Sequence, residues 1–185
     1  MNLRLFFALP LTSGLIKKIA YLEEDIDKKF KIKIPWIPLK NLHLTVLFLG
    51  HISLDDYLKI KKNFINFFYN ERLNLTIERI DYGPPGKKRM IWLYIKNNDS
   101  LKNLKRIIEN KLKEANIDYK REERDFLPHI NLSRLKNNVN FQNIDLKKEL
   151  NWQFIPNRLV LYRSILYPTG AHYEKLLEWE LNYLP

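Results

Sequence analysis

A chain of 185 residues, 45% apolar and 29% charged, has the size and composition of one globular unit, which excludes global disorder and an array of modules. Lysine and arginine outnumber aspartate and glutamate by 32 to 21, and the net charge of +11 favours polyanionic partners, nucleic acid ahead of an acidic membrane surface. The same residues scattered over a surface equally serve solubility. Cysteine is absent, so disulfides, thiolate metal sites and cysteine nucleophiles are excluded and a cytoplasmic setting is expected.

No run reaches the ~18 apolar residues of a membrane span. The apolar opening is interrupted by Pro10 with no small-x-small site after it, and reads as folded chain rather than a cleaved signal. Residues 3–9, dense in bulky apolar types, form a buried strand that stops at Pro10. Leu15, Ile19, Leu22, Ile26 and Phe30 recur at helical spacing with charges between them, so 12–30 is an amphipathic helix. Pro35 and Pro38 break that pattern, and a second strand over 42–49 ends at Gly50. Ser53 with Asp56 is a capping box, opening a helix whose Tyr57, Ile60, Phe64 and Phe67 share a face.

Strands at about 73–81 and 90–96 are joined by Gly-Pro-Pro-Gly-Lys-Lys-Arg. Asp99 or Ser100 caps a third helix that aligns Leu101, Leu104, Ile108, Leu112 and Ala115. The charged stretch 118–125 is a loop, and Pro128 introduces a strand at 129–135. Further strands lie near 158–166 and 175–183, the last turning Leu177, Trp179, Leu181 and Tyr183 inward and Glu178, Glu180 and Asn182 outward. Antiparallel strands with three helices make an α+β fold, expected as a single domain over 1–185 and as a monomer.

Written out, these elements repeat. Strand, helix and strand at 3–9, 12–30 and 42–49 match strand, helix and strand at 90–96, 100–115 and 129–135, at one nearly constant offset. Of the four histidines, His43 in Asn-Leu-His-Leu-Thr-Val and His129 in Leu-Pro-His-Ile-Asn-Leu-Ser-Arg fall at equivalent points. Strand alternation sets His43 beside Thr45 and His129 beside Asn131, with Leu42, Leu44, Val46, Ile130 and Leu132 facing the other way. A lone histidine of this kind reads as a core residue with its hydrogen bonds satisfied; two at matched points of a repeat read as a working pair. Imidazole is the general acid or base of neutral pH, and a facing pair suits in-line attack at phosphorus. Neither motif carries a carboxylate or a third histidine, so no metal site and no cofactor is expected.

Four blocks carry a resemblance: Arg-Leu-Phe-Phe-Ala-Leu-Pro at 4–10, Asn-Leu-His-Leu-Thr-Val-Leu-Phe-Leu-Gly at 41–50, Pro-His-Ile-Asn-Leu-Ser-Arg at 128–134 and Leu-Tyr-Arg-Ser at 161–164. In this order and spacing the chain resembles, nearly end to end, the RNA 2′,3′-cyclic phosphodiesterases, the 2′-5′ RNA ligase type of the two-histidine (2H) phosphoesterase superfamily. The resemblance implies a bilobal fold, two pseudo-twofold-related lobes each with an antiparallel sheet, and a central groove lined by both motifs. It implies hydrolysis of RNA 2′,3′-cyclic phosphate ends to 2′-phosphates, with His43 the proton donor to the leaving 3′ oxygen, His129 the acceptor that activates water, and Thr45 holding a phosphate oxygen. The alternatives are 2′-5′ RNA ligation and a non-catalytic module that binds RNA ends. Asn131 departs from the Thr or Ser of the family's second motif; its amide still offers a hydrogen bond to phosphate.

Arg134 closes the second motif, and its guanidinium suits a bidentate phosphate clamp. Strict alternation puts it on the face opposite His129, so a bulge or a strand end is required; otherwise it is a surface arginine. Phe6 or Phe7, Trp36 and Tyr162 are candidates for stacking a base, and each fits the core better. His51 and His172 read as solvent-facing loop residues, the Gly-Pro-Pro-Gly turn as a basic tip, and Lys61, Lys62, Lys147 and Lys148 as solvated charges.

Overall fold

The computed structural model describes residues 2–31, 33–120, 125–135, 145–168 and 170–181. Within them the order is β1 (Asn2–Pro10), α1 (Ser13–Phe30), β2 (His43–Ser53), α2 (Leu54–Asn63), β3 (Leu75–Gly83), β4 (Met90–Ile95), α3 (Asp99–Glu114), β5 (His129–Arg134), β6 (Lys148–Phe154), β7 (Arg158–Tyr167) and β8 (Gly170–Glu180).

Each helix starts on a side-chain cap that takes one of the unpaired first-turn amides. Thr12 Oγ1 accepts from Leu15 N at 3.4 Å, Ser53 Oγ from Asp56 N at 3.0 Å, and Asn98 Oδ1 from Leu101 N at 2.9 Å. The Ser53–Asp56 box therefore forms as expected, and Ser53 Oγ also donates to Asp56 Oδ2 at 2.8 Å. The third cap is Asn98, neither Asp99 nor Ser100; Asp99 sits in the first turn, where its carboxylate meets the positive end of the helix dipole. Helix α2 is shorter than its apolar spacing suggests. Phe64 N closes the last turn on Ile60 O, the Phe64 carbonyl beyond it accepts from Trp179 Nε1 of β8 at 2.7 Å and from Phe67 N at 3.0 Å, and Phe67 packs against Trp179 from the turn that follows.

The eight strands form one antiparallel sheet in the order β6-β3-β4-β5-β2-β1-β7-β8, not a separate sheet in each half. The order mirrors itself about the β5–β2 junction, where the two repeats meet at a single pair, Leu44 with Ile130. Both side chains are fully buried. Leu15, Ile19, Leu22 and Ile26 of α1 and Leu101, Leu104, Ile108 and Leu112 of α3 belong with them to one apolar core. Each such side chain contributes about 1.5–3 kcal/mol on burial.

Beyond Leu44–Ile130 the two strands part, and the Pro35–Pro38 segment fills the opening. Ile37 N donates to Leu132 O at 2.8 Å and Ser133 Oγ to Pro35 O at 2.9 Å, so the freed edge of β5 keeps its hydrogen bonds. Strand β6 was not legible in the sequence: Lys-Glu-Leu-Asn-Trp-Gln-Phe is an edge strand, largely exposed, whose charges resemble a solvated loop and keep the edge from pairing with another chain. Tyr183 and Asn182, and part of the 118–125 loop, lie outside the described residues. No helix among the described residues is long and apolar enough to cross a membrane.

Candidate active site

His43 is the first residue of β2 and His129 the first of β5. About the Leu44–Ile130 pair the strands run antiparallel, so His43 faces Asn131 across the junction on one side and Thr45 faces His129 on the other. The side chains flanking the buried pair point away from the core into a cleft of about 160 Å³, which His43, Thr45, His129, Asn131 and Arg134 all line.

The two imidazoles are held alike. His43 Nδ1 lies 2.7 Å from Asn41 O, and His129 Nδ1 lies 2.8 Å from Leu127 O, in each case the carbonyl two residues upstream. A carbonyl only accepts, so each Nδ1 carries the proton and donates, and Nε2 is the nitrogen that can exchange one. Their surroundings differ. His43 rests on Phe6, 5.0 Å between centroids, meets Tyr173 edge-on at 5.0 Å and 88°, and has Tyr162 at 6.2 Å. Burial among these rings lowers His43 to about 4; the bond to Asn41 opposes this and the nearby His129 adds to it. His129 instead stacks on Trp92. Trp92 in turn lies on Gly83, where any Cβ would overlap the indole.

Arg134 reaches the cleft through a bulge. Ile91 pairs with Ser133 but Trp92 with Asn131, so Leu132 is unmatched and two consecutive residues, Leu132 and Ser133, turn into the core. That extra residue rotates Arg134 onto the face of His129. Strand β2 carries the same irregularity: Phe7 pairs with Leu47 and Ala8 with Thr45, Val46 is unmatched, and Val46 and Leu47 are both buried. Phe48 is thereby turned into the cleft at the place in the first repeat that Arg134 holds in the second.

The other candidates do not line the cleft. Phe6 and Phe7 are buried, Phe6 directly beneath His43. Trp36 donates from Nε1 to the Asp27 carboxylate at 3.1 Å, and Tyr162 stacks on Phe6 at 5.4 Å. His51 and His172 are exposed or nearly so, but on strands β2 and β8 rather than in loops. Phe48, Trp92, Pro84 and Tyr173 line the cleft without having been singled out. The repeat offset was a usable signal for Phe48, since it separates Phe48 from Arg134 as it separates His43 from His129. Trp92 Nε1 and Asn131 Oδ1, on residues paired across β4 and β5, are buried with no hydrogen-bond partner among the described residues. Among those residues no three histidines or carboxylates converge as metal ligands.

Known proteins share this fold. No family model matches the chain. The RNA 2′,3′-cyclic phosphodiesterase of Methanocaldococcus jannaschii is 30% identical over 184 residues, covering 96% of this chain and 100% of its own. The protein of the same name from Archaeoglobus fulgidus is 25% identical over 183 residues, covering 96% and 100%. Among solved structures, TT0787 of Thermus thermophilus superposes with a TM-score of 0.76 at 23% identity over 97% of this chain and 98% of that one. E. coli LigT complexed with 3′-AMP gives 0.75 at 21% identity, over 98% and 99%. With sequence likeness along nearly its whole length and the LigT fold, the chain belongs to the RNA 2′,3′-cyclic phosphodiesterase family.

Proposed function

We propose that the chain, acting as one unit over its length, hydrolyses 2′,3′-cyclic phosphate ends of RNA to 2′-phosphates, with His43 and His129 as the proton-transfer pair. The observation that carries this reading is the matched holding of the two imidazoles, each Nδ1 tied to the carbonyl two residues upstream, with both rings lining one phosphate-sized cleft. Two exchangeable Nε2 atoms on opposite sides of a phosphorus are what in-line displacement needs.

His129 Nε2 takes a proton from water as its oxygen forms the new bond to phosphorus, and His43 Nε2 delivers a proton to the 3′ oxygen as the P–O3′ bond breaks. The phosphate stays on the 2′ oxygen. Thr45, the Asn131 amide and the Arg134 guanidinium offer donors to the non-bridging oxygens, whose charge grows in the transition state. His43, neutral at pH 7 in the free protein, gains its proton when the phosphodiester anion is bound beside it, because an adjacent negative charge favours imidazolium. Proton transfer by two imidazoles requires no Lewis acid, so the reaction is expected to run without metal.

Incubation with a 2′,3′-cyclic mononucleotide in EDTA, followed by ³¹P NMR, tests the reading. The expected product is the 2′-monophosphate alone. Unchanged substrate, or a 3′-monophosphate as the main product, contradicts it.

A further inference from the structure

On the half of the sheet that carries His43, a separate cavity of about 590 Å³ opens where the Pro10–Ser13 turn meets β7 and β8. Arg158, Tyr162, Lys175 and Glu178 line it, and none of its lining residues lines the cleft. Its volume falls in the range of about 300–1000 Å³ usual for ligand sites.

We infer that this cavity holds the first phosphodiester upstream of the cyclic phosphate, so that the protein grips an RNA end as a chain rather than as a single nucleotide. The inference rests on the phosphodiesterase reading and adds the part of the substrate that lies beyond the reacting ribose.

Two observations carry it. The first is direction. With O3′ leaving toward His43, C3′ of the terminal ribose faces the His43 half of the sheet, and C4′ and C5′, which lead to the upstream phosphate, continue from C3′. The strand therefore leaves the cleft over β1 and β7. On that path stands Tyr162, paired with Phe6 of β1 and Lys175 of β8. Its ring has His43 at 6.2 Å and borders the cavity. Burial raises the Tyr162 pKa, the Glu178 carboxylate raises it further and Arg158 opposes both, as a hydroxyl near that ion pair requires. One side chain thus separates His43 from the cavity, the reach of one nucleotide step.

The second is charge. Arg158 Nη1 lies 3.3 Å from Glu178 Oε1 and Lys175 Nζ 2.9 Å from Glu178 Oε2, so one carboxylate holds two cations side by side and the trio stays positive. A guanidinium has five N–H donors and an ammonium three, so most are left for a phosphate. The Arg158 and Lys175 side chains are 48% and 54% exposed, and an exposed ion pair is weak enough for a phosphate to compete with it. The other lining residues carry no charge, and Glu180, opposite Arg158 in the register, is not among them.

The test compares kcat/KM for 2′,3′-cyclic UMP and for the dinucleotide UpU ending in a 2′,3′-cyclic phosphate. The proteins are the parent, Arg158→Gln, Lys175→Gln and, as a control on net charge, Lys148→Gln on the far edge strand β6. The parent is expected to favour the dinucleotide about tenfold or more. Each cavity variant is expected to lower kcat/KM about tenfold for the dinucleotide and by less than about twofold for the mononucleotide. Each is also expected to flatten the log–log salt dependence of dinucleotide hydrolysis by about 0.7, the share of one phosphate contact. Lys148→Gln is expected to leave both substrates within about twofold of the parent. A dinucleotide no better than the mononucleotide, or a preference that survives both cavity variants or falls equally in Lys148→Gln, overturns the site while the phosphodiesterase reading stands. Hydrolysis of neither substrate overturns the reading of the cleft, and the site is then judged by binding of a single-stranded oligouridylate. Equal affinity for the parent and Arg158→Gln across a salt titration overturns it too; weaker binding by Arg158→Gln but not by Lys148→Gln upholds it.

Discussion

The indole of Trp92 lies face to face with the imidazole of His129, 3.6 Å between ring centroids and 16° between planes. With Nδ1 tied to Leu127 O, the stack removes both the tilt and the rotation available to that ring. The pair is itself set by Gly83, the residue whose missing side chain lets the indole lie flat.

Gly83→Ala therefore acts on His129 without touching it. The added methyl displaces the indole, and kcat is expected to fall about tenfold with KM nearly unchanged, because misplacing a reacting group by a fraction of an ångström costs rate before binding. Steady-state kinetics with a cyclic mononucleotide, alongside a thermal melt showing the fold intact, checks it.

The low pKa of His43 links stability to pH. Its folded value of about 4 lies below the 6.5 of a free imidazole, so its contribution to stability is complete above pH 6.5 and is lost as pH falls through 4. Urea unfolding of the parent and of His43→Asn at pH 7.5 and 4.5 isolates this part. The parent is expected to lose about 2–3 kcal/mol more than the variant across that interval.

Glu23 has the opposite sign. Burial in α1, aided by Asp27, raises its carboxyl from 4.5 to about 7, so the stability it lends is present below 4.5 and is lost as pH rises through 7. Its Oε1 has no partner among the described residues. Glu23→Gln, which cannot ionise, is expected to raise Tm at pH 8 and to change it little at pH 5, as differential scanning calorimetry at the two pH values will show.

Asn131 separates donor chemistry from mere size. On the proposed mechanism its amide donates to phosphate, so Asn131→Thr keeps a donor and is expected to retain kcat/KM within about tenfold, whereas Asn131→Asp is expected to lose it by about a hundredfold or more by setting a charge against the phosphate. Comparable rates for the two variants contradict a phosphate contact.

Much of the fold could be read directly from the chain. The 3.6-residue spacing of Leu15 to Ile26 and of Leu101 to Leu112, the Ser53 cap and the apolar runs of β1, β2, β4 and β5 all follow from local pattern. That a bulge or a strand end must re-aim Arg134 was also legible, since alternation alone points that side chain the wrong way, and the bulge is what the strand carries. What lay beyond local reading was tertiary. Strand β6 has no alternating apolar face of its own, α2 stops where Trp179 takes the Phe64 carbonyl, and Asn98 outcompetes its neighbours as a cap by geometry. Phe48 and Trp92 read as ordinary strand apolars because nothing nearby in sequence shows that a second bulge, or a glycine on a neighbouring strand, turns them toward the histidines.

The central claim is that both histidines move the protons. A synthetic RNA oligonucleotide ending in a 2′,3′-cyclic phosphate, incubated in EDTA under single-turnover conditions with the parent, His43→Ala and His129→Ala, tests it most directly. The parent is expected to convert the end to a 2′-phosphate, and each variant to be slower by about a hundredfold or more while still binding the oligonucleotide. Conversion by either variant at the parent's rate would contradict the account.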